Sequence, residues 1–216
     1  MTFEYNVKQL ESFEQKLLSQ DYLDSSFTVV DGDKPLIISC PHSVSQTRGD
    51  RIKLAETRTA IFGCILNLEL DVPLIFKTKN YKDDANFDLV CKYKDTLVGY
   101  INEHNIKCCV DLHIMKPNSK FDVVLGVNGN ENLCGKVFVK DIVESKFKKA
   151  GYHVGVDEVF KASHKGTVSN TVSRVCNVPA IQIELCWDII DIWDKVFNIT
   201  ELLKESLNEI LSRLEE

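Results

Sequence analysis

Three apolar runs in this 216-residue chain each end on an ionisable side chain: Leu36–Cys40 leads through Pro41 to His42, Cys108–Leu112 to His113, and Ala180–Ile183 to Glu184. Read as neighbouring parallel strands, they bring two imidazoles and a carboxylate to one edge of a sheet. Ligands bind at the carboxyl ends of strands in such sheets. A histidine after a strand is ordinarily a loop residue or a hydrogen-bonded core residue. Glu184 is less ordinary, because Ile183 and Leu185 flank it and an unpaired buried carboxylate costs several kcal/mol. It calls for a cation, a metal or a raised pKa beside it.

Two histidines invite a third ligand, and Glu56 is a candidate. It falls on a helix predicted over Arg51–Leu70, on a face shared with Ile52, Ala60 and Gly63. The alternative is a boundary glutamate pairing with Lys53 or Arg58. His42, Glu56 and His113 would offer zinc two nitrogens and one carboxylate and leave a fourth position for water, the catalytic arrangement. Glu184 would then be the general acid/base. Arg48, six residues after His42, could hold an oxyanion or a substrate carboxylate, or be a surface loop arginine. Asp111 shares the strand face of His113 and could orient it or pair with a lysine. Asn86 could contact substrate, or simply cap a helix predicted over Phe87–His104. Gly166–Ser169 reads as a loop over the pocket or a turn.

The elements that would carry these residues alternate. Helices are predicted at Val7–Ser19, Arg51–Leu70, Phe87–His104 and Gly135–Ala150, with a helical C-terminal segment over 188–215 broken near Phe197–Thr200. Strands are predicted at Phe27–Val30, Pro35–Cys40, Pro73–Lys77, Lys107–Ile114, Asp122–Val127 and Pro179–Cys186. Short strands alternating with longer helices, apolar on both faces, point to one α/β domain over 1–216. Its sheet would be mainly parallel or mixed, with helices on both faces.

Composition narrows the function. With 26 basic and 32 acidic residues the net charge is −6, which gives no basic excess for nucleic acid. No apolar stretch approaches a membrane span, and the N-terminus lacks a signal-peptide pattern. A cytoplasmic protein is expected, without membrane or nucleic-acid partners and with a small-molecule amide as substrate. The eight cysteines are scattered, none in a C-x-x-C, and read as buried thiols rather than disulfides or a zinc site.

PLIISCPHS, RGDRIKLAETRTA, KDDANFD, VDLHIM, GTVSN and PAIQIEL, taken in order from Pro35 to Cys186, resemble the N-formylglutamate amidohydrolase family. That family is related in fold to the zinc metallocarboxypeptidases. The resemblance implies zinc on His42, Glu56 and His113, Glu184 as general acid/base, and hydrolysis of a small N-acyl amino acid or related amide. Zinc carboxypeptidases place the first His and Glu three residues apart, whereas fourteen separate them here. The Asn-Arg dipeptide that grips a substrate carboxylate in the carboxypeptidases is missing, Asn86 standing in that region without an adjacent Arg. Two other readings compete: a domain of the same fold that binds metal without turnover, and a cysteine hydrolase.

Overall fold

The computed structural model describes residues 6–216. Nine strands are defined: β1 (Phe27–Val30), β2 (Leu36–Cys40), β3 (Gln46–Arg48), β4 (Arg51–Lys53), β5 (Leu74–Lys77), β6 (Cys108–Met115), β7 (Val123–Gly126), β8 (Val154–Val156) and β9 (Ala180–Cys186). The α-helices are α1 (Val7–Ser19), α2 (Arg58–Leu70), α3 (Lys92–Glu103), α4 (Phe138–Lys149), α5 (Val168–Cys176) and α6 (Trp193–Glu215). Seven strands form one sheet in the order β1-β5-β2-β6-β9-β7-β8, and β3 and β4 form a separate hairpin. β5, β2, β6 and β9 run parallel; β1 is antiparallel to β5 and β7 to β9. The sheet is therefore mixed, with its parallel part at the centre.

Both faces are covered, as the apolar strands require. Leu36, Ile38, Val110, Ile181 and Ile183 pack on one side with residues of α2, α4 and α6. Ile37, Cys109 and Ala180 pack on the other with Tyr93, Leu97 and Ile101 of α3 and Val168 and Val172 of α5. Tyr93 pins the end of β2 below His42. Its hydroxyl donates to the Ile75 carbonyl (2.9 Å) and accepts from the Cys40 N–H (3.0 Å). All eight cysteines are free thiols. Among the described residues, no helix is long and apolar enough to cross a membrane.

Three expectations are corrected. The helix predicted from Arg51 starts at Arg58, because residues 46–53 form the β3–β4 hairpin. Its two-residue connection begins with Gly49 at φ +59°, a conformation tight hairpins ask of glycine. Ile52 is accordingly exposed at 63%, and Glu56 lies before the helix rather than on a face shared with Ile52. The helix predicted from Phe87 begins at Lys92, leaving Asp84 and Asn86 in the preceding loop, so Asn86 does not cap the helix that follows it. The C-terminal helix is continuous through Phe197–Thr200, since Val196, Ile199, Thr200 and Leu203 all face inward and the Thr200 hydroxyl donates to the Val196 carbonyl (2.8 Å). Gly166–Ser169 is a turn at its start, as one of its two readings had it, and Val168 and Ser169 open α5, with Thr167 as N-cap accepting from the Asn170 N–H.

Candidate metal centre

Three neighbouring strands of the sheet deliver the ionisable residues to one place. His42 follows β2, His113 lies near the end of β6, and Glu184 sits on β9 in register with His113. In-register residues on adjacent parallel strands share a face, so Asp111 and Gln182 form the rung before His113 and Glu184. Gln182 donates to Glu184 Oε1 at 2.8 Å, which fixes that carboxylate within its own strand.

Glu56 reaches the same point from the loop before α2. Its N–H donates to the His42 carbonyl at 2.7 Å, and its own carbonyl accepts from the Thr59 N–H and hydroxyl. The fourteen-residue gap between His42 and Glu56 is therefore closed by backbone pairing, with the β3–β4 hairpin as an excursion between them.

The side chains converge on one centre. His113 Nδ1 stands 3.1 Å from His42 Nδ1 and 3.1 Å from Glu56 Oε2, while His42 Nδ1 is 3.3 Å from Glu56 Oε1. Each imidazole turns its other nitrogen to a buried carboxylate: His42 Nε2 to Asp84 (2.8 Å) and His113 Nε2 to Asp111 (3.1 Å). With Nε2–H donating to an aspartate, each Nδ1 presents a lone pair. Two lone pairs and a carboxylate, all buried and about 3 Å apart, repel one another unless a cation lies between them. These separations match neighbouring donors about a tetrahedral ion with bonds of ~2.0–2.2 Å. The aspartate behind each imidazole is the support that metal-binding histidines use to fix tautomer and orientation. The donor set fits zinc.

The electrostatics agree. Burial works against the charge on Glu56, but His42 and His113 outweigh it and hold the carboxyl well below its usual range. Burial likewise opposes the charge on His113, yet Asp111 and Glu56 raise its pKa well above the usual value. Asp84 is held low by His42 and Arg48 against its own burial. Glu184 behaves in the opposite way: burial pushes it up to about 7. It is therefore the one carboxyl in the group poised to exchange a proton near neutrality.

Of the remaining candidates, Arg48 donates through Nε to Asp84 (2.8 Å) and stacks over Phe87 at 4.6 Å. Asn86 is engaged by the protein itself. Its Oδ1 accepts from the Val168 N–H (2.7 Å) and its Nδ2 lies 3.1 Å from His113 Nε2. Asp84 and Gln182 went unnoticed in the sequence, although Asp84 lies in the Asp-Asp-Ala-Asn run and Gln182 shares the strand face of Glu184. Lys53 contacts Glu56 Oε1, as the boundary alternative anticipated, without preventing the convergence. A cysteine nucleophile finds no support here. Cys40 turns to the opposite core, and burial drives its thiol well above the usual value.

A cavity of about 910 Å³ opens on this edge, with His42, His113, Gln182 and Glu184 in its floor. By sequence, the chain matches no family model and no curated protein. By structure, it resembles a gene product of Agrobacterium tumefaciens, Atu2144 (TM-score 0.65, 11% identity), over 89% of this chain and 97% of that one. N-formylglutamate amidohydrolase from Ralstonia eutropha superposes with a TM-score of 0.58 at 14% identity, covering 88% of this chain and 98% of that one. A bacteriophage poly-gamma-glutamate hydrolase gives 0.57 at 14% identity, over 96% and 97%. The chain shares their fold. At these identities the likeness extends to architecture, as the mixed sheet flanked by helices already indicated.

Proposed function

We propose that this protein is a zinc-dependent amidohydrolase that cleaves a small N-acyl amino acid or related amide. The observation carrying the proposal is the facing pair of Nδ1 atoms with Glu56 between them, each imidazole backed by its own aspartate, beside a proton-exchanging Glu184. His42, Glu56 and His113 would hold the ion, and Asp84 and Asp111 would keep the rings aimed. Bound zinc lowers the pKa of water to ~7 and polarises a carbonyl. Glu184 takes the proton from the attacking water and delivers it to the amide nitrogen as the C–N bond breaks, freeing a carboxylic acid and an amine. Arg48, anchored through Nε and with no bond from its outer nitrogens to another described residue, is the group to hold a developing oxyanion or a substrate carboxylate. Asn86, held by the Val168 N–H and lining the cavity, borders the substrate. Two of the similar structures are described as hydrolysing formylglutamate and poly-gamma-glutamate, which supports the reaction class.

Metal content and hydrolysis of an N-acyl amino acid panel test the reading together. One zinc per chain and chelator-sensitive hydrolysis are expected. His113→Ala should lose both. Glu184→Gln should keep the metal and lose roughly 10²–10⁴ in rate. Metal bound without turnover of any amide would instead identify a binding domain, and loss of zinc from Glu184→Gln would make Glu184 a ligand.

A further inference from the structure

The cavity has two walls of different chemistry. In the sheet order β6-β9-β7, the row across the site reads His113, Glu184 and Val124, since Val124 lies opposite Glu184 on the antiparallel β7, while His42 follows the end of β2 on the other side of His113. Glu184 thus separates the metal donors from Val124. Beyond it Met115, Phe121, Val124 and Cys186 form an apolar cluster detached from both cores of the protein. Met115 and Phe121 line the cavity at its buried base, and Val124, fully buried, lies directly beneath them. An apolar cluster that supports no helix packing, and instead walls a cavity next to Glu184, is a surface for an apolar ligand part.

The rim carries the second signal. Five lysine or arginine side chains line the cavity (Arg48, Lys53, Lys116, Lys120, Lys161) against one acid, Glu184, in a chain whose net charge is −6. Lys116 and Lys161 form no ion pair with another described residue, and Lys120 lies over the Phe121 ring at 4.8 Å. These three stand on the segments bordering the apolar wall, not on the Arg48 side. A carboxylate is the group they fit.

Resting on the amide-hydrolase reading, the geometry points to an N-acylated apolar α-amino acid as the substrate. Its side chain would lie on Met115 and Phe121 over the buried Val124, and its carboxylate among Lys116, Lys120 and Lys161. The amine half belongs on this side because the leaving nitrogen takes its proton from Glu184, and Glu184 borders the wall. A glutamate side chain there would press a charged carboxylate against apolar carbon.

The test is calorimetric binding to zinc-loaded Glu184→Gln protein of N-acetyl-L-alanine, N-acetyl-L-leucine, N-acetyl-L-phenylalanine and N-acetyl-L-glutamate, with turnover of the same four by the wild-type chain. Each buried methylene is worth about fourfold. The leucine and phenylalanine compounds should therefore bind at least tenfold tighter than the alanine one, and the glutamate compound no tighter than alanine. Val124→Thr, which keeps the shape and adds a hydroxyl, should shrink the leucine preference several-fold and leave alanine binding unchanged. Lys116→Gln with Lys120→Gln should weaken all four and flatten their salt dependence. A flat series, preference for glutamate, or no binding by any compound overturns the inference. Turnover with a flat series overturns it while the hydrolase reading stands. The expected binding order without turnover does the reverse.

Discussion

Glu184 is buried to 5% exposure and has its carboxyl pushed up to about 7, so it costs stability whenever it is ionised. A carboxyl whose pKa is higher in the fold than in the unfolded chain leaves the fold unpenalised below its ordinary value. Stability is then lost as pH rises from about 4.5 to about 7. Above that window the loss is on the order of 3 kcal/mol. In chelator-treated protein, Glu184→Gln should therefore melt several degrees above wild type at pH 8 and level with it at pH 4.5, as scanning calorimetry would register. An equal difference at both values would mean that the carboxyl keeps its ordinary pKa. Asp84 offers a second residue-scale test. It bonds His42 Nε2 and receives Arg48. Asp84→Asn removes the charge that fixes the His42 tautomer, and a competition titration should show zinc affinity lower by roughly 10–100-fold.

Among the elements, the loop that runs into α5 is the least tolerant. A methyl group on Gly166 would come within 1.9 Å of the Phe87 carbonyl oxygen, a backbone atom that cannot move aside. Lys94 donates to the carbonyls of Asp88 and Gly166 and clamps the same approach. Gly166→Ala should thus destabilise by about 1–3 kcal/mol in denaturant titration. It should also disturb Asn86, whose Oδ1 takes the Val168 N–H. Gly99, on α3 with open space around it, serves as the control at which alanine is neutral or better. The strands were legible in sequence because β2, β6 and β9 are buried along their whole length or nearly so, and such runs announce themselves. Residues 46–53 were not, because two three-residue strands of mostly polar side chains leave no apolar alternation. α5 was missed for a related reason. Its nine residues, VSNTVSRVC, are mostly β-branched or polar, and tertiary packing rather than propensity holds them helical. The histidines and Glu184 could be found at strand ends, whereas Asp84 could not, since only the folded loop carries it to His42.

At the scale of the molecule, the candidate donors come from the end of β2, from β6 and from the loop before α2, so occupancy would couple to the whole fold. Two imidazoles and a carboxylate that repel when empty attract when an ion is present, and binding to the native state alone raises stability by about 2.7 kcal/mol at a hundredfold excess over Kd. For a chain of this size, zinc at that excess should raise Tm by roughly 5–11 °C over the chelated protein, and His113→Ala should abolish the rise. A melting curve indifferent to zinc would count against the site.

The bond between the Glu56 N–H and the His42 carbonyl has a consequence for descent as well as for chemistry. Because that bond sets where Glu56 stands, the hairpin between His42 and Glu56 is a cassette, free to lengthen or shrink while its ends remain clasped. Each doubling of such a loop adds only about 0.6 kcal/mol of closure entropy. Sequence distance between these two candidate ligands is thus a drifting quantity, and a search keyed to fixed spacing would pass over kin that keep the same clasp.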